Sequence, residues 1–191
     1  MKDYPGNTVH HNSESIRSIV GADSLGDSSL LSREEGEQRP DIVDSDERVL
    51  FEIKPESANG LAEGREQAGR YLRALNQVIV SGKPFSGGTG FQGAHLVQFE
   101  SGKYVWLLSW RTPEPGVTLY RWRRSQDRFT SPEQSLDVMK WVELSQEEIQ
   151  QHEHLIEQVM QALLDRRPAP PAFCGIVLRV TDGSFDSPPL P

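Results

Sequence analysis

Cysteine is nearly absent from this sequence: the single residue, Cys174, excludes an intramolecular disulfide and any cysteine-rich zinc site. It lies in the run Phe173-Cys174-Gly175-Ile176-Val177-Leu178, where a thiol acts as a small buried apolar group. No stretch of about 18 apolar residues occurs, so no membrane span is expected. The N-terminus lacks the basic-then-apolar order of a cleaved signal peptide, so any export is expected to use another route. Hydrophobic residues make up only 36%, while 16 glycines and 13 prolines punctuate the chain, so the core must be concentrated in a few segments. Basic residues are outnumbered, 20 against 28 acidic ones, and a net charge of −8 argues against a general nucleic-acid coating protein. An enzyme with clustered basic groups is still allowed. Arg121, Arg123 and Arg124 form one such cluster, and Arg65, Arg70 and Arg73 fall on or near a helix; all are candidates for phosphate contacts, with solvated arginines as the plain alternative.

The most informative stretch is Arg39-Pro40-Asp41-Ile42-Val43-Asp44, followed by Val49-Leu50-Phe51-Glu52-Ile53-Lys54-Pro55. The alternation predicts strands over about 39–44 and 48–54, joined by a turn at Ser45-Asp46-Glu47. Side chains alternate along a strand, so Glu52 and Lys54 share one face and Phe51 and Ile53 the other. A turn centred on residues 46 and 47 sets Asp41 opposite Glu52, with Cβ atoms roughly 5 Å apart. Two carboxylates at that separation repel each other unless one stays protonated or both hold a hard divalent cation. Lys54 is then placed to steady a water molecule or developing negative charge.

Pro-Asp, a gap of ten residues, then Glu-x-Lys, with Gln67-Ala-Gly-Arg-Tyr71 as a QxxxY pattern on the next helix, resembles the PD-(D/E)xK nuclease superfamily. The run from Arg39 to Pro55 also looks like nuclease toxin domains of bacterial polymorphic and secretion-system effectors. The resemblance covers about residues 39–76. It implies an α/β fold of restriction-endonuclease type, a mixed central sheet flanked by helices with an antiparallel extension. It further implies Asp41, Glu52 and the Ile53 backbone carbonyl as ligands of Mg2+ or Mn2+, Lys54 as the catalytic lysine, and Gln67 and Tyr71 as supporting catalytic residues. Nuclease relatives often carry one more acid upstream; Glu14 suits that role best, with Glu34, Glu35 and Glu37 as competitors. Asp44 ranks as a supporting residue, because a regular strand turns it to the other face. The implied activity is phosphodiester hydrolysis, with DNA favoured over RNA. The implied partner is a cognate immunity protein. The implied location is the bacterial cytoplasm before delivery into a target cell by a specialised system.

The rest of the chain is read more plainly. Residues 1–38 form a polar segment with a helix-compatible stretch from about Val9 to Val20, in which His10 and His11 suit a solvated polar turn. Pro55–Gly60 reads as a loop because of Asn59-Gly60. Leu61 to Val80 carries Ala68, Tyr71, Leu72, Leu75, Val78 and Ile79 at helical spacing, and Gly64 and Gly69 imply close packing of that helix on the sheet. The glycine-rich segment 81–90 lacks the terminal Gly-Lys-Ser/Thr of a phosphate-binding P-loop. Strands are expected over 94–99, 104–110 and 117–122, with hairpin turns at 101–103 and 113–116. Trp106, Trp110, Tyr120 and Trp122 suit a half-buried sheet better than base stacking.

Ser145-Gln-Glu-Glu148 is a capping box opening a helix to about Arg167, on which His152 and His154 do not share a face. A last strand is expected over 175–180. The organisation expected is thus a lead-in of 1–38, a nuclease-like domain of 39–180 and a flexible tail of 181–191. The rivals to an active nuclease are a catalytically inactive binding module on the same fold and a structural adaptor. Retention of Asp41, Glu52 and Lys54 together speaks against the decayed nuclease.

Overall fold

The computed structural model describes residues 8–80, 82–98, 104–128, 140–152 and 156. The expected turn at 101–103, the helix beyond Gln151 apart from Ile156, the strand over 175–180, Cys174 and the tail from 181 lie outside the described residues. The chain divides into two compact units: residues 1–91 with 111–120, and residues 92–110 with 121–191.

The first unit is a mixed α/β layer. Strand β1 (Val9–His11) runs antiparallel to β2 (Ile42–Asp44), and β2 antiparallel to β3 (Val49–Pro55). Between β1 and β2 come helix α1 (Ile16–Ala22) and the short helix α2 (Arg33–Glu37). Helix α3 (Ala58–Val78) follows β3 and packs on it, and a two-residue strand β4 (Ser86–Gly87) pairs in parallel with β3. Strands β6 (Val105–Glu114) and β7 (Val117–Ser125) run through both units; the parts in the first flank the tight turn Pro115-Gly116. From Glu52 to Pro55, β3 pairs in parallel with Val117 to Tyr120 of β7.

Why α3 starts where it does is a matter of capping. The Ser57 side chain accepts from the Gly60 N–H at 2.9 Å, satisfying one of the free amides of the first turn. Asn59 and Gly60 therefore lie inside the helix, not in the expected loop: the cap outweighs the local turn preference of Asn-Gly. Gly60, Gly64, Ala68, Tyr71, Ala74, Leu75 and Val78 form its buried stripe. A Cβ on Gly64 would stand 2.7 Å from Val117 Cγ1 and 3.4 Å from Lys54 Cγ, so helix and sheet are indeed in close approach there. Gly69 differs: its nearest neighbour is a flexible arginine end, Arg73 Nη1 at 3.6 Å.

The N-terminal segment departs most from expectation. Val9–His11 is a strand and only Ile16–Ala22 is helical, Ser15 supplying the N-cap. The stretch expected as a polar lead-in places Ile16, Ile19, Val20 and Leu31 in the same core as Val43, Leu50, Leu75, Phe85 and Val117. No break in packing separates residues 38 and 39. His10 is buried rather than solvated. Its Nδ1 meets the Glu14 carboxylate and its Nε2 lies 2.6 Å from Asp23 Oδ2. Burial disfavours the charged ring, but the two carboxylates outweigh it and hold the pKa above the ordinary histidine value.

In the second unit, β5 (Gly93–Gln98) pairs antiparallel with β6, and the C-terminal part of β7 pairs antiparallel with β8 (Trp141–Glu143). Trp106 and Trp122 are both buried and meet edge to face with centroids 6.1 Å apart, a core contact rather than a base-stacking platform. The Ser145–Glu148 capping box is formed at the start of α4 (Gln146–Gln151). No described helix is long and apolar enough to cross a membrane.

Because Ile19 is fully buried in the core around α3, Ile19→Ala is expected to cost about 2–5 kcal/mol. Urea denaturation measures this; a loss under about 1 kcal/mol would return α1 to the status of a peripheral segment.

Candidate active site

The site is built on the two edges of β3. The observed register pairs Ile42 with Phe51, Val43 with Leu50 and Asp44 with Val49. One step further, Asp41 stands across from Glu52, the geometry expected from a turn centred on residues 46 and 47. β2 begins only at Ile42, so at residue 41 the side chain takes over from the ladder: the Ile53 N–H donates to Asp41 Oδ2 at 2.7 Å. On the opposite edge the Glu52 N–H donates to the Gly116 carbonyl at 2.8 Å.

Glu52 is almost wholly buried, at 3% exposure. Its Oε1 lies 2.8 Å from Lys54 Nζ, while Oε2 is buried with no hydrogen-bond partner. Burial, and then the negative charge of Asp41, push the Glu52 carboxyl up to about 7 against the opposing pull of Lys54 and of the Asp41 backbone N–H. Burial likewise raises Asp41, opposed by the Ile53 amide and the Lys54 charge. An acid pair so arranged is poorly satisfied: a buried acceptor without a partner costs roughly 1–3 kcal/mol.

Helix α3 packs on this strand: Gly64 lies against the Lys54 stem, with Gln67 one turn and Tyr71 two turns further along. Gln67 Oε1 is buried and unpartnered. Tyr71 is buried, and its hydroxyl is pushed up to about 12 by burial and by the charges of Glu52 and Asp41. A tyrosine so shifted stays protonated at neutral pH and can only donate or accept a hydrogen bond, not act as a base.

Tyr120, which the sequence suits to a half-buried sheet better than to base stacking, lies within reach of the Asp41 charge. Its ionisation is also disfavoured, by burial and then by Asp41. The parallel register that seats Tyr120 beside Pro55 has no local sequence signal.

Other expected participants are engaged elsewhere. Glu14 is turned to His10, and Glu35 closes the α2 capping box with Ser32. Glu37 pairs with Arg33, and Glu34 is exposed. Asp44 is buried and accepts from the Asp46 and Glu47 amides, so it shapes the turn rather than the site. Arg65 forks onto Glu114, Arg70 meets Glu66, Arg121 meets Glu143 at 3.6 Å and Arg124 meets Glu148 at 2.6 Å. These arginines are held by acids and not presented as a phosphate-binding cluster.

Among the described residues no group of three or more His, Cys, Asp or Glu side chains could hold a metal ion. The residues nevertheless fit a small hard cation. Mg2+ needs only one or two carboxylates, completing its shell with carbonyls and waters, and the unpartnered Glu52 Oε2 beside Asp41 offers such a pair.

Since Glu52 binds its proton more tightly folded than unfolded, it contributes stability that is complete below about 4.5 and is lost as pH rises through about 7. Glu52→Gln is therefore expected to be the more stable protein above neutral pH without divalent cations, by on the order of a few kcal/mol. Its advantage should shrink to nothing in acid. Urea titrations across pH measure this, and a pH-independent difference would contradict a desolvated Glu52.

No curated protein and no solved structure matches this chain. Residues 4–89, under half of the chain, match the family model of restriction endonuclease fold toxin 9, a span that includes β1, α1, the Asp41–Lys54 hairpin, α3 and the glycine-rich segment. With the mixed sheet flanked by helices, this match supports a restriction-endonuclease-like fold and a PD-(D/E)xK-like nuclease toxin.

Proposed function

We propose that the chain is a divalent-metal-dependent nuclease acting on DNA, the toxic domain of an antibacterial effector. The observation that carries this reading is the buried, unpartnered Glu52 Oε2, electrostatically coupled to Asp41 and flanked by Lys54. Asp41, Glu52 and the Ile53 carbonyl would hold Mg2+ or Mn2+, which when bound would offset charge on the scissile phosphate and lower the pKa of a bound water.

Lys54 keeps its ammonium on the Glu52 side of this face, where it orients the attacking water or donates to a phosphate oxygen as negative charge builds. Tyr71, protonated at neutral pH, donates a hydrogen bond to the phosphate or the lysine's surroundings. Gln67 adds a neutral amide that orients the same groups. The attack of water on phosphorus forms one P–O bond and breaks another, leaving a phosphomonoester end and a free hydroxyl.

DNA is preferred over RNA on the family resemblance alone. The toxin resemblance also supplies the setting: synthesis in a bacterial cytoplasm, delivery into a competing cell without a cleaved signal peptide, and a cognate immunity protein that covers the site.

Purified protein incubated with plasmid DNA is expected to nick it with Mg2+ or Mn2+ and to stop with a chelator. Glu52→Ala and Lys54→Ala should each lower the rate by about 100-fold or more. A labelled RNA in the same assay tests the substrate preference. Equal cleavage by wild type and both variants would remove these residues from catalysis, and DNA binding without cleavage would favour the inactive binding module. Expression in bacteria is expected to arrest growth, and Asp41→Ala to relieve it.

A further inference from the structure

The glycine-rich segment rejected above as a phosphate cradle has a different place in the fold. β3 changes neighbour along one edge just before Glu52. Val49 and Leu50 pair with Ser86 and Gly87 of β4, whereas Glu52 to Pro55 pair with β7. Three backbone hydrogen bonds close the gap between these neighbours. The Gly88 N–H donates to the Leu50 carbonyl at 2.9 Å, the Gly116 N–H to the Gly88 carbonyl at 2.8 Å, and the Glu52 N–H to the Gly116 carbonyl at 2.8 Å. The circuit starts and ends on β3, two residues apart.

Only glycine fits this circuit. A Cβ on Gly88 would lie 2.1 Å from Phe51 Cζ, and Phe51 is buried and packed on Phe91 with ring centroids 5.4 Å apart. A Cβ on Gly87 would stand 2.4 Å from the Pro115 carbonyl carbon. Gly116 has φ +82°, in the left-handed region where side chains are strained. Gly87 and Gly88 thus lack room for a side chain, and Gly116 adopts a backbone conformation that disfavours one.

We propose that Gly88, with Gly87 and Gly116, is a positioning residue for Glu52, fixing where β3 presents that carboxylate to Asp41. The proposal rests on the reading of Glu52 as a cation ligand. The Glu52 amide is held by Gly116 on one edge of β3 while the next amide, that of Ile53, is held by Asp41 on the other. The two acids are thus referenced to one short length of backbone. Crowding Gly88 presses on Phe51, the residue immediately before Glu52, and moves one acid relative to the other.

The test compares wild type, Gly88→Ala and the double variant Gly88→Ala with Phe51→Leu, which restores room for the added methyl group. Native-state amide exchange reads the clasp without any metal. Calorimetric titration with Mn2+ alone reads the acid pair, with Glu52→Gln as the non-binding control. In Gly88→Ala, protection of the Glu52 and Gly116 amides is expected to fall at least tenfold more than that of core amides such as Val20. Mn2+ affinity should fall about tenfold, and the double variant should recover most of both. A uniform loss of protection, or unchanged Mn2+ affinity in a folded Gly88→Ala, would overturn the positioning role. If Gly88→Ala does not fold, the double variant decides: near-native protection with Mn2+ affinity still lost also overturns it. Wild type that fails to bind Mn2+ refutes the metal reading instead, and the exchange data then judge the clasp alone.

Discussion

Asp41 accepts a hydrogen bond from the backbone of the strand that carries Glu52, and the rest of the site depends on that link. The bond forms at the point where β2 has ended and β3 continues, so an amide that would otherwise lack a strand partner is met by a carboxylate. One acid is thereby fixed to the strand bearing the other. Because Glu52 and Lys54 project from the same face of β3, the amine arrives with the second acid. The cost of the arrangement is visible in the upward shifts of both carboxyls and in the unpartnered Glu52 oxygen. A fold selected for stability alone would have no use for such a pair; a site that must grip a cation has reason to keep it.

The packing around this strand follows the same logic. α3 lies over β3 at Gly64, where the absence of a side chain lets the helix descend onto Val117 and the Lys54 stem. That descent brings Tyr71 within the electrostatic reach of both acids and buries the Gln67 oxygen. α1 and Leu31 complete the same core from the N-terminal side, so the lead-in is part of what holds α3 down. The family match beginning at residue 4 agrees with this: the unit that folds is longer than the motif.

The hairpin was legible because its information is local. Alternation over residues 49–54 and a symmetric turn fix which side chains face each other, and the observed register agrees with that reading. α3 was legible from its apolar spacing, though its first turn was not, since Ser57 capping overrode Asn59-Gly60. The core role of Ile16, Ile19 and Val20 was hidden by the serines, glycines and acids around them, which drown a seven-residue helix in a polar background. His10 was misread for the opposite reason. Its partners Glu14 and Asp23 are local in sequence, but nothing in their spacing says that the ring is buried between them. Least legible were the parallel contacts of β3 with β4 and β7, which join segments more than thirty residues apart and leave no periodic trace.

Net charge poses the remaining physical problem for the proposed function, because an acidic chain would have to approach a polyanion. Four of the six arginines that sequence singled out contribute little to it: Arg65, Arg70, Arg121 and Arg124 are each held by a glutamate. Their fields are largely cancelled at the range over which a duplex is attracted, roughly a Debye length of 8–10 Å. Close to the acid pair two local sources of attraction are available. Lys54 supplies one positive charge, and a divalent ion between Asp41 and Glu52 would turn that spot from net negative to net positive. On the proposed reading the cation would do more than chemistry: without it the site would repel a phosphate, so substrate binding and catalysis would share one requirement.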